Sequence, residues 1–337
     1  MPRASLRPRG GSGPLAPVLL TAIVTTSYPS TPGDPSGHFV RAEARLLARG
    51  GRRVVVIAPG ARGVHGRSVD ADGIQLFRVG GGDAFGWPGA AARVRERPWR
   101  ALSIVSWARE ARLTLAALGD VDRVVAHWAI PSGFPVATAR SRGVPLEIVS
   151  HGADVRTLTR LPRLVRERIV RRLVAETQTW RFVSRSLQEE LARALPSRDA
   201  AALDAVSDVV PAAIELPDVR ARSAALRVES GGLPFFALVG RLVPSKRFDA
   251  ALEWVATRHG RPTPRVVVVG DGPDRASLAA RARSLGVEAH FVGLTSREEA
   301  LAWIGAADAL VHASRAEGLS TVVREATALG VRVETVP

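Results

Sequence analysis

The chain alternates short apolar runs with longer helical stretches, and this alternation limits the folds open to it. In the second half, the apolar run 235–239 precedes a helical stretch at 248–258, and the run 309–314 precedes another at 321–329. Such runs, bounded by glycine or polar residues, predict buried strands, and strands alternating with helices predict α/β layers around parallel sheets. A length of 337 residues, 46% of them apolar, corresponds to about two such domains.

A single lysine, Lys246, stands among 47 basic residues, and all the others are arginine. It lies with Arg241 in the segment 240–246, between the predicted strand 235–239 and the helix that follows it. Open α/β sheets bind ligands in loops at the carboxyl ends of their strands. A planar guanidinium beside a mobile ammonium suits the oxygens of a diphosphate, so we expect a phosphate site here. The alternative is a surface loop in an arginine-rich chain.

A second candidate site surrounds the start of the predicted helix 321–329. Glu317 and Glu325 lie on either side of its amino terminus, and at helical rise they are at most ~12 Å apart. Carboxylates accept hydrogen bonds from sugar hydroxyls, and the free N–H groups of a first helical turn attract phosphate. The two glutamates therefore fit a hexose and a ribose on either side of a diphosphate. The alternative is a solvated helix face.

These segments resemble those of the family-4 retaining glycosyltransferases, which have the GT-B fold. The stretch 314–330 is similar to the family's E-x7-E segment, and Ser150-His151-Gly152-Ala153-Asp154 is similar to its HG-x-D segment. The chain departs from the family at 212–215, where Asn-Gly-Val-Asp is usual, and at Arg247, where glycine is usual. Other matching stretches occur in order and extend the resemblance over nearly the whole chain: 27–50, 127–133, 182–187, 209–211, 240–246, 269–273 and 291–293.

The resemblance implies that the protein moves a sugar from a nucleotide-sugar donor to an acceptor, with retention at the anomeric carbon. It implies two Rossmann-like domains whose parallel sheets face a central cleft, the first for the acceptor and the second for the donor. The acceptor would be a saccharide, a lipid-linked molecule or a small molecule. Neither a metal nor an enzyme nucleophile is expected. A cytoplasmic location is expected, with peripheral contact at the inner face of the membrane as a further option.

The resemblance also implies roles for individual residues. Arg241 and Lys246 would neutralise the leaving diphosphate, which is the main electrostatic contribution in such a reaction. Glu317 would hold hydroxyls of the donor sugar, Glu325 would bind the ribose, and His151 would approach the sugar from the first domain. The alternative for His151 is a hydrogen bond within the core. The remaining residues of the implied donor site are Gly37, for which the alternative is a turn glycine, and Gly272, Gly293, Gly318, Leu319 and Ser320.

We expect a disordered basic tail at 1–14, an N-terminal acceptor domain at 15–213 and a C-terminal donor domain at 218–337. The boundary rests on Pro211, Pro217 and the polar stretch that follows. Relatives continue after residue 330 through a further strand, a loop and helices that cross back onto the first domain. The second domain is therefore expected to be incomplete, and the alternative function is an inactive GT-B fragment or a non-catalytic partner subunit.

Several other classes of protein are disfavoured. Arg275 occupies the third glycine position of a dinucleotide-binding fingerprint, so a dehydrogenase is not expected. Asp120 and Asp122 precede a strand, at the wrong end of a sheet for a metal motif, and are interpreted as a solvated turn. The absence of cysteine excludes disulfides and thiolate sites. A nucleic-acid binder is suggested by charge alone, since no RNA or DNA motif is present.

The net charge of +15 is concentrated in part between residues 156 and 172, where the arginines face a single acid, Glu167. Leu161, Val165, Ile169 and Leu173 recur on one face, which predicts a basic amphipathic helix. Two interpretations remain open. The helix lies on an anionic membrane surface, or its apolar face packs on the core and its arginines are solvated.

The two glutamates are expected to behave differently, because a ribose occurs in both a nucleotide and a sugar nucleotide, whereas a hexose occurs only in the latter. Glu325→Ala should weaken the binding of both ligands. Glu317→Ala should spare the free nucleoside diphosphate and reduce sugar-nucleotide affinity and turnover. Calorimetric titration of both variants measures this, and equal losses for both ligands in both variants would contradict the assignment.

Overall fold

The computed structural model describes residues 18–31, 34, 36–60, 65–86, 89–258, 265–314 and 320–337. Within these stretches the chain forms an eight-stranded sheet and a five-stranded sheet. The fold is α/β with two parallel-sheet domains, as the alternation of strands and helices predicts. The basic tail predicted at 1–14 lies outside the described residues.

The first sheet contains, in chain order, β1 (Leu20–Val24), β2 (Arg53–Pro59), β3 (Gly66–Val69), β4 (Gln75–Val79), β5 (Arg123–His127), β6 (Leu146–Ser150), β7 (Thr179–Phe182) and β8 (Ser207–Val209). Across the sheet the order is β3-β4-β2-β1-β5-β6-β7-β8, and only β3 and β4 run antiparallel. Ile23 of β1 lies beside Val56 on one side and Val125 on the other. The helices of this half are α1 (His38–Arg49), α2 (Ala90–Glu96), α3 (Ala101–Ala117), α4 (Ala153–Arg160), α5 (Arg163–Glu176), α6 (Arg185–Arg193) and α7 (Ser197–Ala205).

The second sheet contains β9 (Phe235–Val239), β10 (Arg265–Val269), β11 (Ala289–Gly293), β12 (Ala309–His312) and β13 (Arg332–Thr335). Its order is β11-β10-β9-β12-β13, with all neighbours parallel. The helices of this half are α8 (Arg220–Glu229), α9 (Phe248–Arg258), α10 (Arg275–Leu285), α11 (Arg297–Ala306) and α12 (Thr321–Ala328). The predicted strand at 235–239 and helix at 248–258 are thus confirmed.

Strand residues of the second sheet alternate between two apolar cores. Phe236 and Leu238 pack in one core with side chains of α9 and α10. Phe235 and Ala237 pack in the other with side chains of α8, α11 and α12. Because helices cover both faces, each position of β9 is apolar, which explains the unbroken apolar run in the sequence.

The basic stretch 156–172 does not form the single amphipathic helix predicted from its pattern. Proline cannot continue a helix from the preceding residue, and α4 ends before Pro162 while α5 begins after it. Leu173 is fully buried in the first core, whereas Leu164 is 80% exposed. Glu167 is buried and pairs with arginines at the preceding and following turns. The inner face therefore packs on the core, and membrane contact of this segment stays a prediction.

The end of the chain differs from expectation. Residues 332–335 form β13, which pairs along β12 from Ala309 to His312. The further strand that was expected to be missing is therefore present.

The two halves meet through polar contacts near the predicted boundary. Glu215 accepts a hydrogen bond from Arg45 at 2.8 Å and another from Arg49 at 3.1 Å, both from α1. Arg324 of α12 donates to the carbonyl of Ala212. Strands of the first sheet end at residue 209 and those of the second begin at 235, and the predicted boundary falls within this stretch.

None of the helices in the described residues has both the length and the apolar character that crossing a bilayer requires.

The two-core arrangement predicts a large stability difference between buried and exposed apolar positions of the second domain. Leu238 is fully buried, so Leu238→Ala should lower the free energy of unfolding by about 2 to 5 kcal/mol. Val228 is 77% exposed, so Val228→Ala should change it by less than ~0.5 kcal/mol. Urea unfolding of both variants measures this, and similar losses would contradict the described packing.

Candidate active site

Each sheet has one place where its strand order reverses. In the first sheet β1 lies between β2 and β5, and in the second β9 lies between β10 and β12. Loops that leave the strands at such a point diverge and open a crevice, where open α/β sheets bind ligands. The loops after β9 and β12 carry Arg241, Lys246 and Ser320. The topology therefore brings these predicted residues to the same edge of the second sheet.

The loop after β9 is held against the loop after β10. The N–H of Leu242 donates to the carbonyl of Asp271 at 2.9 Å. A short 3-10 turn then ends at Lys246, whose Nζ lies 3.8 Å from the position that a Cβ would occupy on Gly240. Lys246 is half-buried and Arg241 is exposed. Both side chains thus lie at the end of β9, as predicted.

Close backbone packing explains the glycines of this region. A Cβ on Gly270 would lie 1.9 Å from the carbonyl oxygen of Gly240, and one on Gly272 would lie 2.3 Å from that of Leu242. Gly293 has a φ of +88°, and its carbonyl accepts the N–H of Gly270 at 2.9 Å. Any side chain at 270 or 272 would push the Arg241 to Lys246 loop away. Donor contact by Gly272 and Gly293 stays a prediction.

Arg247 occupies a position where the resembled family usually has glycine, and its backbone explains that preference. Its φ of +51° and ψ of 41° are left-handed, a conformation that glycine adopts without strain. The guanidinium of Arg247 donates to the carbonyls of Ala313 and Pro337 at 3.4 and 3.3 Å. These contacts tie the helix start to the loop after β12 and to the end of the chain.

His151 follows β6, and a buried carboxylate holds its backbone in place. Asp154, only 2% exposed, accepts hydrogen bonds from the N–H groups of His151 at 3.2 Å and Gly152 at 3.0 Å. Its other oxygen accepts from the N–H of Ala129, in the turn after β5, at 2.8 Å. The predicted HG-x-D segment is therefore a carboxylate-stapled turn that joins two strand ends.

The imidazole of His151 contacts a second histidine and a buried charge network. Its Nε2 lies 2.9 Å from Nδ1 of His127, which is fully buried. The Nε2 of His127 lies 3.7 Å from Oε2 of Glu43 on α1. Glu43 also pairs with Arg181 of β7, and Arg181 pairs with Glu147 of β6. The hydrogen bond within the core, which was the alternative role of His151, is therefore present, and contact of His151 with the donor sugar stays a prediction.

Burial determines the protonation of both histidines. Burial lowers the pKa of His127 to about 3, and the charge of Arg181 adds to this. Burial, followed by the neighbouring His127, holds the pKa of His151 well below its usual range, while Glu43 opposes the shift. Both imidazoles are therefore neutral at pH 7.

Aromatic rings surround His151 on the cleft side of the first sheet. The ring of Phe39, on α1, lies 4.5 Å from that of His151 between centroids, and the ring of Trp128 lies 4.9 Å away. Trp128 has a φ of +71°, which a bulky residue adopts at a cost of ~1 to 3 kcal/mol. Strain of this kind concentrates where a side chain is held for function, which makes Trp128 a candidate site residue.

The first turn of α1 reaches across to the second domain. Gly37 caps α1 with a φ of +66°, and a Cβ there would lie 2.2 Å from the carbonyl oxygen of Ser27. Gly37 therefore has the backbone of a turn glycine, and contact of its backbone with the donor phosphates stays a prediction. His38 follows, with Nε2 3.5 Å from Oε1 of Glu325. Arg297 donates to the same oxygen at 2.7 Å.

A second contact between the domains involves Arg241. Its Nη1 lies 3.1 Å from the position that a Cβ would occupy on Gly89, at the start of α2. Together with the approach of His38 to Glu325, this brings the carboxyl-terminal strand edges of the two sheets face to face. Arg241, Lys246, Ser320 and Glu325 belong to the second domain and His151 to the first, and their meeting in one donor site stays a prediction.

The predicted helix at 321–329 is present as α12, and Glu325 lies in it with only 5% exposure. Burial raises the pKa of Glu325 above its usual value, and the charge of Arg297 opposes this. Ser320 is the N-cap of α12, although its side chain makes no capping hydrogen bond. The other predicted residues of this segment, Glu317, Gly318 and Leu319, lie outside the described residues.

Sequence reasoning missed Glu43, Arg181 and Arg297. A charged residue inside an otherwise apolar strand was the available signal for Arg181, in the run Thr179–Phe182. Glu43 lies one helical turn after Phe39 on α1, so its position on the same face could have been inferred. No comparable signal exists for Arg297. The described residues contain no group of three or more side chains arranged to hold a metal ion.

Family comparison agrees with this architecture. The glycosyl transferase 4-like domain matches residues 36–207, and the domain of glycosyl transferases group 1 matches residues 225–335. The chain belongs to the glycosyl transferase 4-like family. The first match includes β2 to β7 of the first sheet, and the second includes all five strands of the second sheet, so the family assignment spans both domains.

Two relatives are similar over part of their length. TuaC of Bacillus subtilis (strain 168), which carries the name "Putative teichuronic acid biosynthesis glycosyltransferase", is 30% identical over 63% of this chain and 52% of its own. The 2-deoxystreptamine glucosyltransferase of Streptomyces kanamyceticus is 31% identical over 70% of this chain and 63% of its own. The chain thus spans less than two thirds of either relative.

Solved structures identify the fold as GT-B. Sucrose-phosphate synthase from Thermosynechococcus elongatus superposes with a TM-score of 0.67 over 94% of this chain and 81% of its own, at 16% identity. HepE from Anabaena, solved in complex with UDP, superposes with a TM-score of 0.57 over 94% of this chain and 80% of its own, at 15% identity.

The neutral buried histidines predict a pH-dependent stability. An unfolded histidine binds a proton below pH ~6.5, whereas the native chain keeps His127 and His151 neutral. The free energy of unfolding should therefore fall as the pH drops below ~6.5, by up to ~1.4 kcal/mol per pH unit for each histidine. Urea unfolding between pH 7 and 5 measures the slope. His127→Gln should make it shallower than in the exposed control His65→Gln, and equal slopes in the two variants would contradict the prediction.

Proposed function

We propose that the protein transfers a sugar from a nucleotide-sugar donor to an acceptor, with retention of the anomeric configuration. One observation carries the proposal. The basic loop after β9 and the strand ends around His151 face one another across the cleft, with Arg241 beside Gly89 and Glu325 beside His38. A donor lying between them would meet cations at one end and a neutral imidazole at the other.

Departure of a nucleoside diphosphate develops negative charge on its outer phosphate, and preorganised cations lower the barrier for that step. Arg241 is exposed at the cleft and Lys246 folds back over the end of β9. Because Gly270 and Gly272 allow two loops to pack backbone against backbone, this cationic loop is held in place before a ligand arrives. Such preorganisation supports the assignment of the diphosphate to this loop.

We assign the ribose to Glu325 and the donor sugar to His151. The carboxylate of Glu325 is oriented by Arg297, which leaves Oε2 as a further acceptor for a hydroxyl. The neutral imidazole of His151 suits hydrogen bonding to a sugar hydroxyl and adds no competing positive charge near the sugar. Retention rests on the family resemblance, and it is tested by NMR of the anomeric proton in the first product formed.

The chemistry of the relatives guides the choice of ligands. HepE binds UDP in its crystal structure and has also been solved with UDP-glucose. UDP is therefore the first nucleotide to test on this chain, followed by GDP and ADP. The names of the two sequence relatives point to a polysaccharide and to an aminocyclitol, so the acceptor proposed here is a saccharide, lipid-linked or small polar molecule.

Removal of the single lysine should weaken nucleotide binding. A charge-assisted hydrogen bond contributes ~1.5 to 3 kcal/mol, so Lys246→Ala should raise the dissociation constant for UDP by about tenfold to a hundredfold. Isothermal titration calorimetry of the purified chain measures this. Arg283→Ala, at an exposed position of α10, removes the same charge away from the cleft and should leave the affinity unchanged. If the wild type binds UDP and both variants bind it equally well, Lys246 is not part of the site.

A further inference from the structure

The contact between His127 and His151 determines which ring nitrogen of His151 carries the proton. Nδ1 of His127 and Nε2 of His151 are 2.9 Å apart, and the two rings are inclined by only 16°. A neutral imidazole carries one N–H and one acceptor nitrogen. One of these two nitrogens must therefore donate and the other accept, so the tautomer of one ring determines the tautomer of the other.

Glu43 decides which arrangement is favoured. Its Oε2 lies 3.7 Å from Nε2 of His127, and its Oε1 pairs with the guanidinium of Arg181. The other charges next to this group are Glu147 of β6 and Arg123 of β5, which pair with one another. The oxygens of an ion-paired carboxylate such as that of Glu43 only accept hydrogen bonds.

The proton positions follow from this acceptor. The Glu43 carboxylate lies beyond hydrogen-bond distance of Nε2 of His127, but its negative charge favours the tautomer with the proton on that nitrogen, which leaves Nδ1 of His127 as an acceptor. His151 then donates from Nε2 and keeps Nδ1 without a proton. Outer partners fix the tautomer and ring orientation of functional histidines in the same way at many sites.

We propose that His127 and Glu43 are positioning residues that hold His151 in its Nε2–H tautomer, so that its Nδ1 serves as a hydrogen-bond acceptor for a hydroxyl of the donor sugar. The proposal rests on the function proposed above for His151. Phe39 and Trp128 support the arrangement, because their rings pack on His151 and restrict its rotation. Glu43 and Phe39 lie one turn apart on α1, so one helix supplies both the charge and the ring.

The direct test is nitrogen NMR of the full chain labelled with 15N-histidine. The signals of His151 are assigned from their loss in His151→Gln, among seven histidines in the chain. In the wild type at pH 7.5, His151 should show a protonated Nε2 and an unprotonated Nδ1. Glu43→Gln offers an amide donor to His127 and should shift His151 toward the Nδ1–H tautomer, whereas Glu43→Asp keeps the carboxylate and should retain the wild-type pattern.

Asp120→Asn is the control for loss of a carboxylate, since Asp120 is exposed in the turn before β5. It should leave the spectrum of His151 unchanged. Circular dichroism and thermal melting identify variants that fail to fold, and the tautomer of His151 in the wild type carries the test if Glu43→Gln is one of them. A protonated Nδ1 on His151 in the folded wild type, or an unchanged tautomer in folded Glu43→Gln, would overturn the proposal.

Kinetics separates this proposal from the proposed function. Glu43→Gln should lower kcat for donor turnover by ~10- to 100-fold, and Glu43→Asp should restore most of it. The affinity for UDP should not change, because UDP lacks the transferred hexose that His151 is proposed to contact. An unchanged kcat in Glu43→Gln would overturn the role of the pair, even where Lys246→Ala supports the donor site. Absence of any nucleotide binding would overturn the proposed function, while the tautomer measurement would still report on the pair.

Discussion

The buried carboxylate of Asp154 holds together the part of the first domain on which the candidate site depends. Three backbone N–H groups, from two different strand ends, converge on its two oxygens. Hydrogen bonds to an ionised carboxylate are roughly twice as strong as those between neutral groups. They fix the turn after β5 relative to the turn after β6, and thereby set the distance between His127 and His151. The unusual backbone of Trp128 lies within this same stapled region.

The first sheet, next to the Asp154 turn, buries charged side chains as well as apolar surface. Glu147 lies inside β6 and pairs with both Arg123 and Arg181, while Arg181 also reaches Glu43. Burying a charge is costly unless it is paired, so each member of this network requires the next. A core built from apolar side chains alone would satisfy the fold equally well. The network instead provides a carboxylate at a defined distance from His127, which apolar packing cannot do.

Among the described residues, the apolar cores of the two domains are separate clusters, and polar contacts join the domains. Glu215 binds two arginines of α1, and His38 approaches Glu325 across the cleft. Polar interfaces within a chain are compatible with relative motion of domains. In this protein one such contact, between His38 and Glu325, involves a residue of the proposed donor site.

The sequence by itself determined the α/β class, the strand and helix of the loop that carries Lys246, and the helix that carries Glu325. These features are local, because apolar runs, glycines and helical periodicity report on neighbours along the chain. Glycine at 270 and 272 was visible, but its cause, contact with the backbone at Gly240 and Leu242, is not local. Pro162 also indicated the end of a helix in the sequence, but the repeat of apolar residues favoured one continuous helix.

Only the tertiary structure decided what surrounds His151. Glu43, His127 and Arg181 come from a helix and two strands far apart in sequence, and no periodicity links them. Their proximity results from the strand order of the first sheet, which sets β5 beside β6 and β6 beside β7 with α1 packed nearby. Charge pairing then became obligatory because the sheet buries these groups. The spacing of residues along the chain predicts which of them share a helix or strand. Burial between helices and strands decides which charged side chains have to form ion pairs.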